Sequence, residues 1–202
     1  MKEYYYDKLF NINTKASGNN KGENISHYHP YEPTPYIVLE ELLKHYEINK
    51  EDTIVDFGCG FGRLVFFLHY HSQATVKGIE VNKRLYDMAI LNRKNYRKKI
   101  GKSIDNMHFY NGKAEEYSIK PEENRFYFFH PFSGHIFRKV INNILNSAEK
   151  KPRPLEIILY YGHEDYIDFL ERSGMFVRKR EINIPYLSSQ NSYEKIIIYR
   201  LQ

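Results

Sequence analysis

The stretch that most constrains this chain is an apolar run that leads directly into three alternating glycines. Thr53–Phe57 has the β-branched and aromatic residues of a buried strand, and Gly58, Gly60 and Gly62 follow at every second position. A helical pattern comes next, and a second apolar run ends at Glu80. Glycine suits so tight a turn because it adopts positive φ and lets a ligand lie against exposed N–H groups. The order predicts half of a nucleotide-binding fold with an adenosine-like ligand at the turn.

The spacing of the glycines favours one kind of cofactor. The dinucleotide fingerprint G-x-G-x-x-G requires glycine where this chain has Arg63. The run instead resembles motif I of class I S-adenosylmethionine (AdoMet)-dependent methyltransferases, in which an acid precedes G-x-G-x-G. Glu80 lies 22 positions after Gly58 and resembles the family's second-strand acid, which holds ribose hydroxyls. The resemblance implies AdoMet as cofactor, with contacts from Asp56, Gly58, Cys59, Gly60, Gly62 and Glu80.

Three other interpretations of this stretch stay open. The glycines can form a plain strand-to-helix turn, with Glu80 as a surface carboxylate that caps the next helix. The same sheet also serves NAD-dependent oxidoreductases, although Arg63 and the two strands at the end of the chain argue against them. A non-catalytic domain that keeps the pocket or only the fold is the third interpretation.

Length and composition predict one domain. The chain has 202 residues and a mass of 24.3 kDa, which suits a single core. No apolar run approaches the roughly 20 residues that cross a bilayer, and the first residues lack the apolar core of a signal peptide. We therefore expect a cytoplasmic protein without a membrane partner. The single cysteine, Cys59, lies within the glycine turn and is interpreted as a small packing residue rather than a nucleophile.

The charge of the chain bears on the methyl acceptor. A net charge of +5 and a pI near 9.0 suit a polyanionic partner and tilt the expected acceptor toward RNA, with protein and small molecules as alternatives. Many of the cations fall on one predicted helix, from the N-cap Asn82 to about Lys99. A solvated helix face explains them equally well. The oligomeric state is not predicted.

Alternating strands and helices predict a doubly wound α/β fold. A polar opening, Asn11–Asn24, precedes a helix that begins near Pro35. The strand predictions cover Thr53–Phe57, Thr75–Glu80, Met107–Tyr110, Arg125–His130, Leu155–Tyr161, Met175–Ile184 and Tyr193–Leu201. Seven strands that are mostly parallel and end in an antiparallel hairpin match the class I methyltransferase arrangement. We expect a methyltransferase domain over residues 35–202 and a segment, residues 1–34, that covers the cofactor site.

Two loops at the carboxyl edge of this sheet complete the predicted site. In the family an aspartate after strand three holds the adenine, but Lys113 stands there, so Ala114 or Asn111 is expected to take over. After strand four, His130, Pro131 and Phe132 are expected to face the substrate, and this run loosely resembles the motif of amino-methylating enzymes. His130 is a candidate general base if its pKa lies near neutrality, or else a structural histidine.

The aromatic segment before the first predicted helix supplies the last candidates. In the family this segment folds over AdoMet, which implies contacts from Tyr31, Thr34 and Tyr36 with the methionine end of the cofactor. A proline-stiffened surface loop is the alternative. His27 and His29 have no cysteine or carboxylate to complete a site, so no metal is expected.

Overall fold

The structure is a computed structural model that describes residues 3–15, 26–101 and 103–202. Within these ranges the chain alternates strands with helices. The strands are β1 (Thr53–Phe57), β2 (Thr75–Glu80), β3 (Met107–Asn111), β4 (Arg125–Phe129), β5 (Glu156–Tyr160), β6 (Phe176–Asn183) and β7 (Lys195–Leu201). The helices are α1 (Glu3–Phe10), α2 (Tyr36–His45), α3 (Arg63–Ser72), α4 (Lys83–Ile100), α5 (Gly134–Lys150) and α6 (Glu164–Arg172).

The strands form one mixed sheet in the order β3-β2-β1-β4-β5-β7-β6. β1 to β5 run parallel, and β7 runs antiparallel to both β5 and β6. The strand order reverses between β1 and β4, and ligands of doubly wound sheets bind at such a point, beyond the carboxyl ends of the strands. The predicted fold class is confirmed, including the C-terminal antiparallel hairpin.

Apolar side chains cover both faces of the sheet. Helices α1 to α4 pack on one face, where Leu39, Phe66 and Tyr96 are buried. Helices α5 and α6 pack on the other face through residues such as Phe137 and Leu170. The buried strands therefore read as continuous apolar runs, which is typical of parallel sheets covered on both sides.

Strand ends differ from the prediction by one or two residues. β4 ends at Phe129 and β5 at Tyr160 because the next residues, His130 (φ 39°) and Tyr161 (φ 53°), leave the extended conformation. Helix α1 has no counterpart among the predicted elements; its Tyr6 ring packs 4.8 Å from that of Tyr36. Residues 16–24 of the predicted polar opening lie outside the described residues.

Candidate active site

The register of the parallel strands determines which side chains lie together at the site. Asp56 of β1 lies opposite Gly78 of β2 and Tyr127 of β4. Because side chains alternate between the two faces, Glu80 and Phe129, each two residues further along its strand, share that face. It is the face covered by α1 to α4. The register thus brings two acids and two aromatic rings together at the carboxyl edge.

The turn after β1 can be built only with glycine at its alternating positions. Gly58, Gly60 and Gly62 have φ values of 81°, 53° and 88°. A Cβ on Gly58 would lie 2.5 Å from the Cβ of Pro131, and one on Gly60 would lie 2.0 Å from the Tyr31 ring. The turn therefore combines a backbone that favours glycine with close packing against two other loops.

Backbone amides hold the Glu80 carboxylate in place. The N–H of Gly60 donates to Oε2 at 2.9 Å, and the N–H of Asn82 donates to Oε1 at 2.8 Å. Burial raises the pKa of Glu80, while these two donors act in the opposite direction. Each oxygen keeps accepting capacity for a ligand hydroxyl group.

Asp56 is buried differently from Glu80. Its side chain is 5% exposed, lines the cavity and makes no hydrogen bond within the described residues. Burial, and secondarily the nearby Glu80 charge, raises the pKa of Asp56 to about 8. Because an unpaired buried carboxylate is costly, this group favours a ligand that brings positive charge.

The segment from His27 to Thr34 forms a wall over this edge. The His29 N–H donates to the Pro131 carbonyl at 2.9 Å, and the Ser133 N–H donates to the His27 carbonyl at 2.8 Å. Further along, the hydroxyl groups of Thr34 and Tyr127 lie 3.0 Å apart. The wall is thereby joined to β4 and to the loop that follows it.

Together these elements enclose a cavity of about 610 Å³, within the usual range for small-molecule sites. Its lining includes eight of the predicted site residues: Tyr31, Thr34, Asp56, Gly58, Cys59, Glu80, His130 and Pro131. Five others lie outside the lining: Tyr36, Gly60, Gly62, Ala114 and Phe132.

Packing explains why these five lie apart from the cavity. Gly60 is covered by the Tyr31 ring, and a Cβ on Gly62 would meet the rings of Phe109 and Phe66. The fully buried Tyr36 donates its hydroxyl hydrogen to Asp7 at 2.5 Å.

The other two have partners of their own. The Ala114 N–H, expected at the adenine, donates to the Tyr28 hydroxyl oxygen at 2.9 Å. Phe132 is a core residue whose carbonyl accepts from Tyr166 at 2.5 Å. Lys113 pairs with Glu116 at 2.9 Å.

His130 lies in a small histidine cluster. Its ring stacks on that of His163 at a centroid distance of 4.9 Å, and the His29 ring lies 4.3 Å away. Burial, with smaller contributions from these two rings, lowers the pKa of His130 to about 4. At neutral pH the imidazole is therefore uncharged and can accept a hydrogen bond, but it holds a proton only weakly.

The Cys59 thiol is buried beside Asp56 and Glu80, and burial followed by these charges raises its pKa. A thiol that stays protonated is a poor nucleophile, which agrees with a packing role. In the described ranges, no group of three or more His, Cys, Asp or Glu side chains is arranged to hold a metal ion. Helices long and apolar enough to cross a membrane are likewise absent from the described part of the chain.

Several lining residues were not predicted: Tyr28, Glu32, Asn82, Leu85, Tyr127, Phe129, Tyr161 and Glu194. Asn82 and Leu85 follow Glu80 so closely that proximity alone could have indicated them. Tyr161 and Glu194 meet only because β5 pairs with β7, where the Tyr161 N–H donates to the Lys195 carbonyl at 3.2 Å. No local signal marks such a pair.

The cavity fits AdoMet on three counts. Glu80 offers a fixed carboxylate for a diol, and Asp56 offers a buried carboxyl group that makes no hydrogen bond within the described residues. Gly58 lines the same space with its backbone, and Pro131 packs where its Cβ would lie. A nucleoside with a cationic tail satisfies all three features.

Comparisons with known proteins agree with this geometry. A family model described as a methyltransferase domain matches residues 35–158. An RNA methyltransferase from Salinibacter ruber, solved with S-adenosylhomocysteine, has a TM-score of 0.56 and 20% identity, over 84% of this chain and 92% of that one. An AdoMet-dependent methyltransferase from Aquifex aeolicus has a TM-score of 0.57 and 14% identity, over 84% and 93%.

A curated relative matches a shorter stretch. It is the Drosophila melanogaster histone-lysine N-methyltransferase specific for H3 lysine-79, 35% identical over 48 residues. The match spans 21% of this chain and 3% of the length of that protein.

The fold and the family match define the class. The chain belongs to the methyltransferase domain family and is an AdoMet-dependent methyltransferase. The predictions of enzyme class and cofactor are confirmed, whereas the roles of individual site residues stay predictions.

Proposed function

We propose that the cavity binds AdoMet and directs its methyl group toward an acceptor that enters beside β4, β5 and β7. The observation that carries the proposal is the pair of buried acids on one cavity wall. Glu80 is fixed by two amides, and Asp56 makes no hydrogen bond to any described residue. The first suits ribose hydroxyl groups and the second suits positive charge.

The other contacts follow from the lining. Val81 and Leu85 supply apolar surface next to Glu80 and would pack against the adenine. Tyr31 and Thr34 would contact the methionine end, and residues 1–34 would act as a cap over the cofactor. Ala114 would act indirectly, through the hydrogen bond that positions Tyr28.

When bound, AdoMet supplies a methyl group that is already activated by its sulfonium. The chain's own task is then to hold the nucleophile in line and to exclude water, which can account for several kcal/mol of the barrier. Pro131 packs against Gly58 and fixes the loop at which the acceptor arrives. His130, uncharged at neutral pH, would accept a hydrogen bond from the acceptor rather than store its proton.

RNA is a candidate methyl acceptor for this function, and the exposed face of α4 favours it. That face carries six cations, namely Lys83, Arg84, Lys94, Arg97, Lys98 and Lys99. The similar enzyme from Salinibacter ruber is described as an RNA methyltransferase. Lys83, however, is paired with Asp87, and a solvated helix explains the remaining charges.

A labelling experiment tests the proposal. The protein is incubated with AdoMet carrying a labelled methyl group and with RNA, protein or small-molecule fractions from cells. We expect transfer into one fraction, reduced at least about tenfold in Glu80→Ala but unchanged in Glu149→Ala, whose carboxylate is exposed on α5 away from the cavity. Equal transfer by Glu80→Ala and wild type would contradict the proposed site.

A further inference from the structure

We infer that the acceptor group is a positively charged aliphatic amine, held beside Phe129 and Tyr161 by the carboxylates of Glu194 and Glu32. This inference rests on the proposed function and specifies its acceptor. Four kinds of observation carry it: position along the sheet edge, aromatic surface, unpaired carboxylates and the charge of the whole cavity.

Strand order separates the cofactor end of the cavity from the other end. From β2 through β1 the edge presents Glu80 and Asp56. From β4 through β5 to β7 it presents Phe129, Tyr161 and Glu194. An acceptor must approach from this second side because the first is required for the cofactor.

Aromatic surface forms the walls of the second side. The rings of Phe129 and Tyr160 lie 4.6 Å apart, and those of Phe129 and Tyr161 lie 6.3 Å apart. The Tyr161 hydroxyl oxygen accepts from the Asn191 side chain at 2.9 Å, and the ring lies 5.5 Å from that of Tyr193. These contacts fix the orientation of Tyr161, and fixed aromatic faces attract cations.

Two carboxylates face this aromatic surface without a cationic partner. Glu194 is half-buried and accepts a hydrogen bond from the Tyr160 hydroxyl group. Glu32 is exposed at the rim. In the described part of the chain neither forms an ion pair, and the neighbouring Lys195 pairs instead with Glu181 at 3.2 Å. A phosphate group would be repelled here, whereas an ammonium group would be attracted.

The charge of the whole cavity leads to the same conclusion. Within the described residues its lining contains four carboxylates, those of Glu32, Asp56, Glu80 and Glu194. The lining also contains the guanidinium of Arg63, whose Nη1 donates to the Thr34 carbonyl at 3.1 Å. AdoMet brings one net positive charge, so a second cation brings the total closer to neutral.

The reaction balances with such an acceptor. The ammonium group first loses one proton, which passes through the Glu194 carboxylate to solvent. The free amine nitrogen then attacks the methyl carbon; the N–C bond forms, and the C–S bond breaks with its electron pair going to sulfur. The products are a methylated ammonium group, S-adenosylhomocysteine and the released proton.

The test uses n-butylammonium as the probe and n-butanol as its neutral counterpart. Each is titrated by NMR into the full-length protein saturated with S-adenosylhomocysteine. We expect the ammonium to bind at least about tenfold more tightly than the alcohol, and Glu194→Gln to weaken its binding by roughly tenfold, the range of a charge-assisted hydrogen bond. Glu149→Gln removes an equal charge outside the cavity and should change nothing.

Equal affinities for the two probes, or an unchanged affinity in Glu194→Gln, would overturn the inference. So would a short single-stranded RNA that displaces the ammonium and binds more tightly to Glu194→Gln, since that result assigns the site to RNA. The proposed function is tested separately, by whether the wild-type protein binds S-adenosylhomocysteine. If it does, a negative result with the two probes overturns only the inference about the acceptor. If Glu194→Gln does not fold, Glu32→Gln at the exposed rim replaces it, with the same expected direction.

Discussion

The two buried acids at the carboxyl edge differ in their partners, and this difference defines their roles. Glu80 accepts hydrogen bonds from the amides of Gly60 and Asn82, so its position is set before any ligand arrives. Asp56 makes no hydrogen bond within the described residues and has a raised pKa. One acid is therefore preorganised for a neutral diol, while the other favours a cation once it is ionised.

We expect Glu80→Ala to weaken S-adenosylhomocysteine binding by roughly 1.5 to 3 kcal/mol, the range for charge-assisted hydrogen bonds. Isothermal titration calorimetry measures the loss, and a thermal melt confirms that the variant is folded. Unchanged affinity in a folded variant would mean that another residue holds the ribose.

Asp56 predicts a pH dependence of AdoMet binding. Because its pKa is about 8, the carboxyl group ionises as pH rises through that value, and only the ionised form attracts the cationic cofactor. Affinity for AdoMet should therefore rise between about pH 7 and pH 9. The ionisable groups of AdoMet itself affect binding to wild type and to Asp56→Asn equally. The difference between the two pH profiles therefore reports the ionisation of Asp56 alone. Parallel pH profiles would contradict the assignment.

The same pKa shift predicts that the stability of the ligand-free protein falls as pH rises, whereas AdoMet affinity rises. A folded-state pKa raised from 3.8 to about 8 means that the folded protein retains this proton more strongly than the unfolded chain. The retained proton stabilises the folded protein fully below the unfolded-state pKa, and this stabilisation is lost as pH rises through about 8. Asp56→Asn should therefore raise the melting temperature of the ligand-free protein more at pH 9 than at pH 5. Equal increases at the two pH values would show that folding does not raise this pKa.

At the residue scale, local motifs indicated residues that the structure brings to one cavity, whereas lining residues joined by strand pairing had no local signal. Asp56, Gly58 and Glu80 follow from short motifs, because the chemistry and the turn are local. Tyr161 and Glu194 lie 33 positions apart and meet through strand pairing. Tyr36 was expected at the cofactor, but its hydroxyl group points to Asp7 beneath the cavity wall, a partner that its aromatic neighbourhood in the sequence does not reveal.

Among the elements, the glycine turn and the wall over it depend on each other. The Tyr31 ring fills the space above Gly60, lies tilted at 4.5 Å from the Phe61 ring and donates its hydroxyl hydrogen to the Thr14 carbonyl at 2.7 Å. The wall is therefore positioned by the turn as well as by β4.

Gly60→Val should abolish detectable S-adenosylhomocysteine binding, because the new side chain displaces Tyr31 and strains a backbone with φ of 53°. The displacement also disturbs the amide that holds Glu80. Gly112→Val is the matched control, since a Cβ there meets no atom within 4 Å. Calorimetry that shows equal affinities for both variants would remove the basis for the turn as a binding element.

Helix α1 is joined to the rest of the fold by a buried polar network. Arg63 Nε donates to the Thr14 hydroxyl oxygen at 2.7 Å, and that hydroxyl group donates to Asp7 Oδ1 at 2.8 Å. Tyr36 donates to the same carboxylate. The network joins α1, α2 and α3 beneath the cavity wall.

Arg63→Met should lower the free energy of unfolding by about 3 kcal/mol, because the buried Thr14 hydroxyl oxygen and Thr34 carbonyl lose their charged donor. Urea denaturation measures the change. Arg97→Met, on the exposed face of α4, should stay within about 0.5 kcal/mol of wild type. Equal effects of the two substitutions would show that the network contributes nothing to stability.

Elements with strong apolar patterns were predictable, and α1 was not. β1 and β2 were predicted with their observed bounds because turns delimit each buried run. Helix α1 has eight residues, of which Tyr4 and Tyr5 are exposed, so its apolar stripe is too short for a clear period. Its helical state depends on contacts with α2 and α3, which the local sequence does not encode.

For the whole molecule, the net charge and the charge of the cavity have opposite signs. The chain carries +5 overall, yet within the described residues the cavity lining holds four carboxylates and one guanidinium. The basic composition suggested RNA, whereas the local field at the acceptor end favours a cation. Composition averages over the surface, and the site depends on which residues the strand order brings to one edge.

The most direct test of the account is a calorimetric titration of the purified protein with AdoMet, S-adenosylhomocysteine and NAD, after removal of any bound cofactor. We expect the first two to bind with affinities of about micromolar order, as small-molecule cofactors commonly do, and NAD to show no heat of binding. Binding of NAD alone, or of none of the three to the folded protein, would contradict the assignment of this cavity to AdoMet.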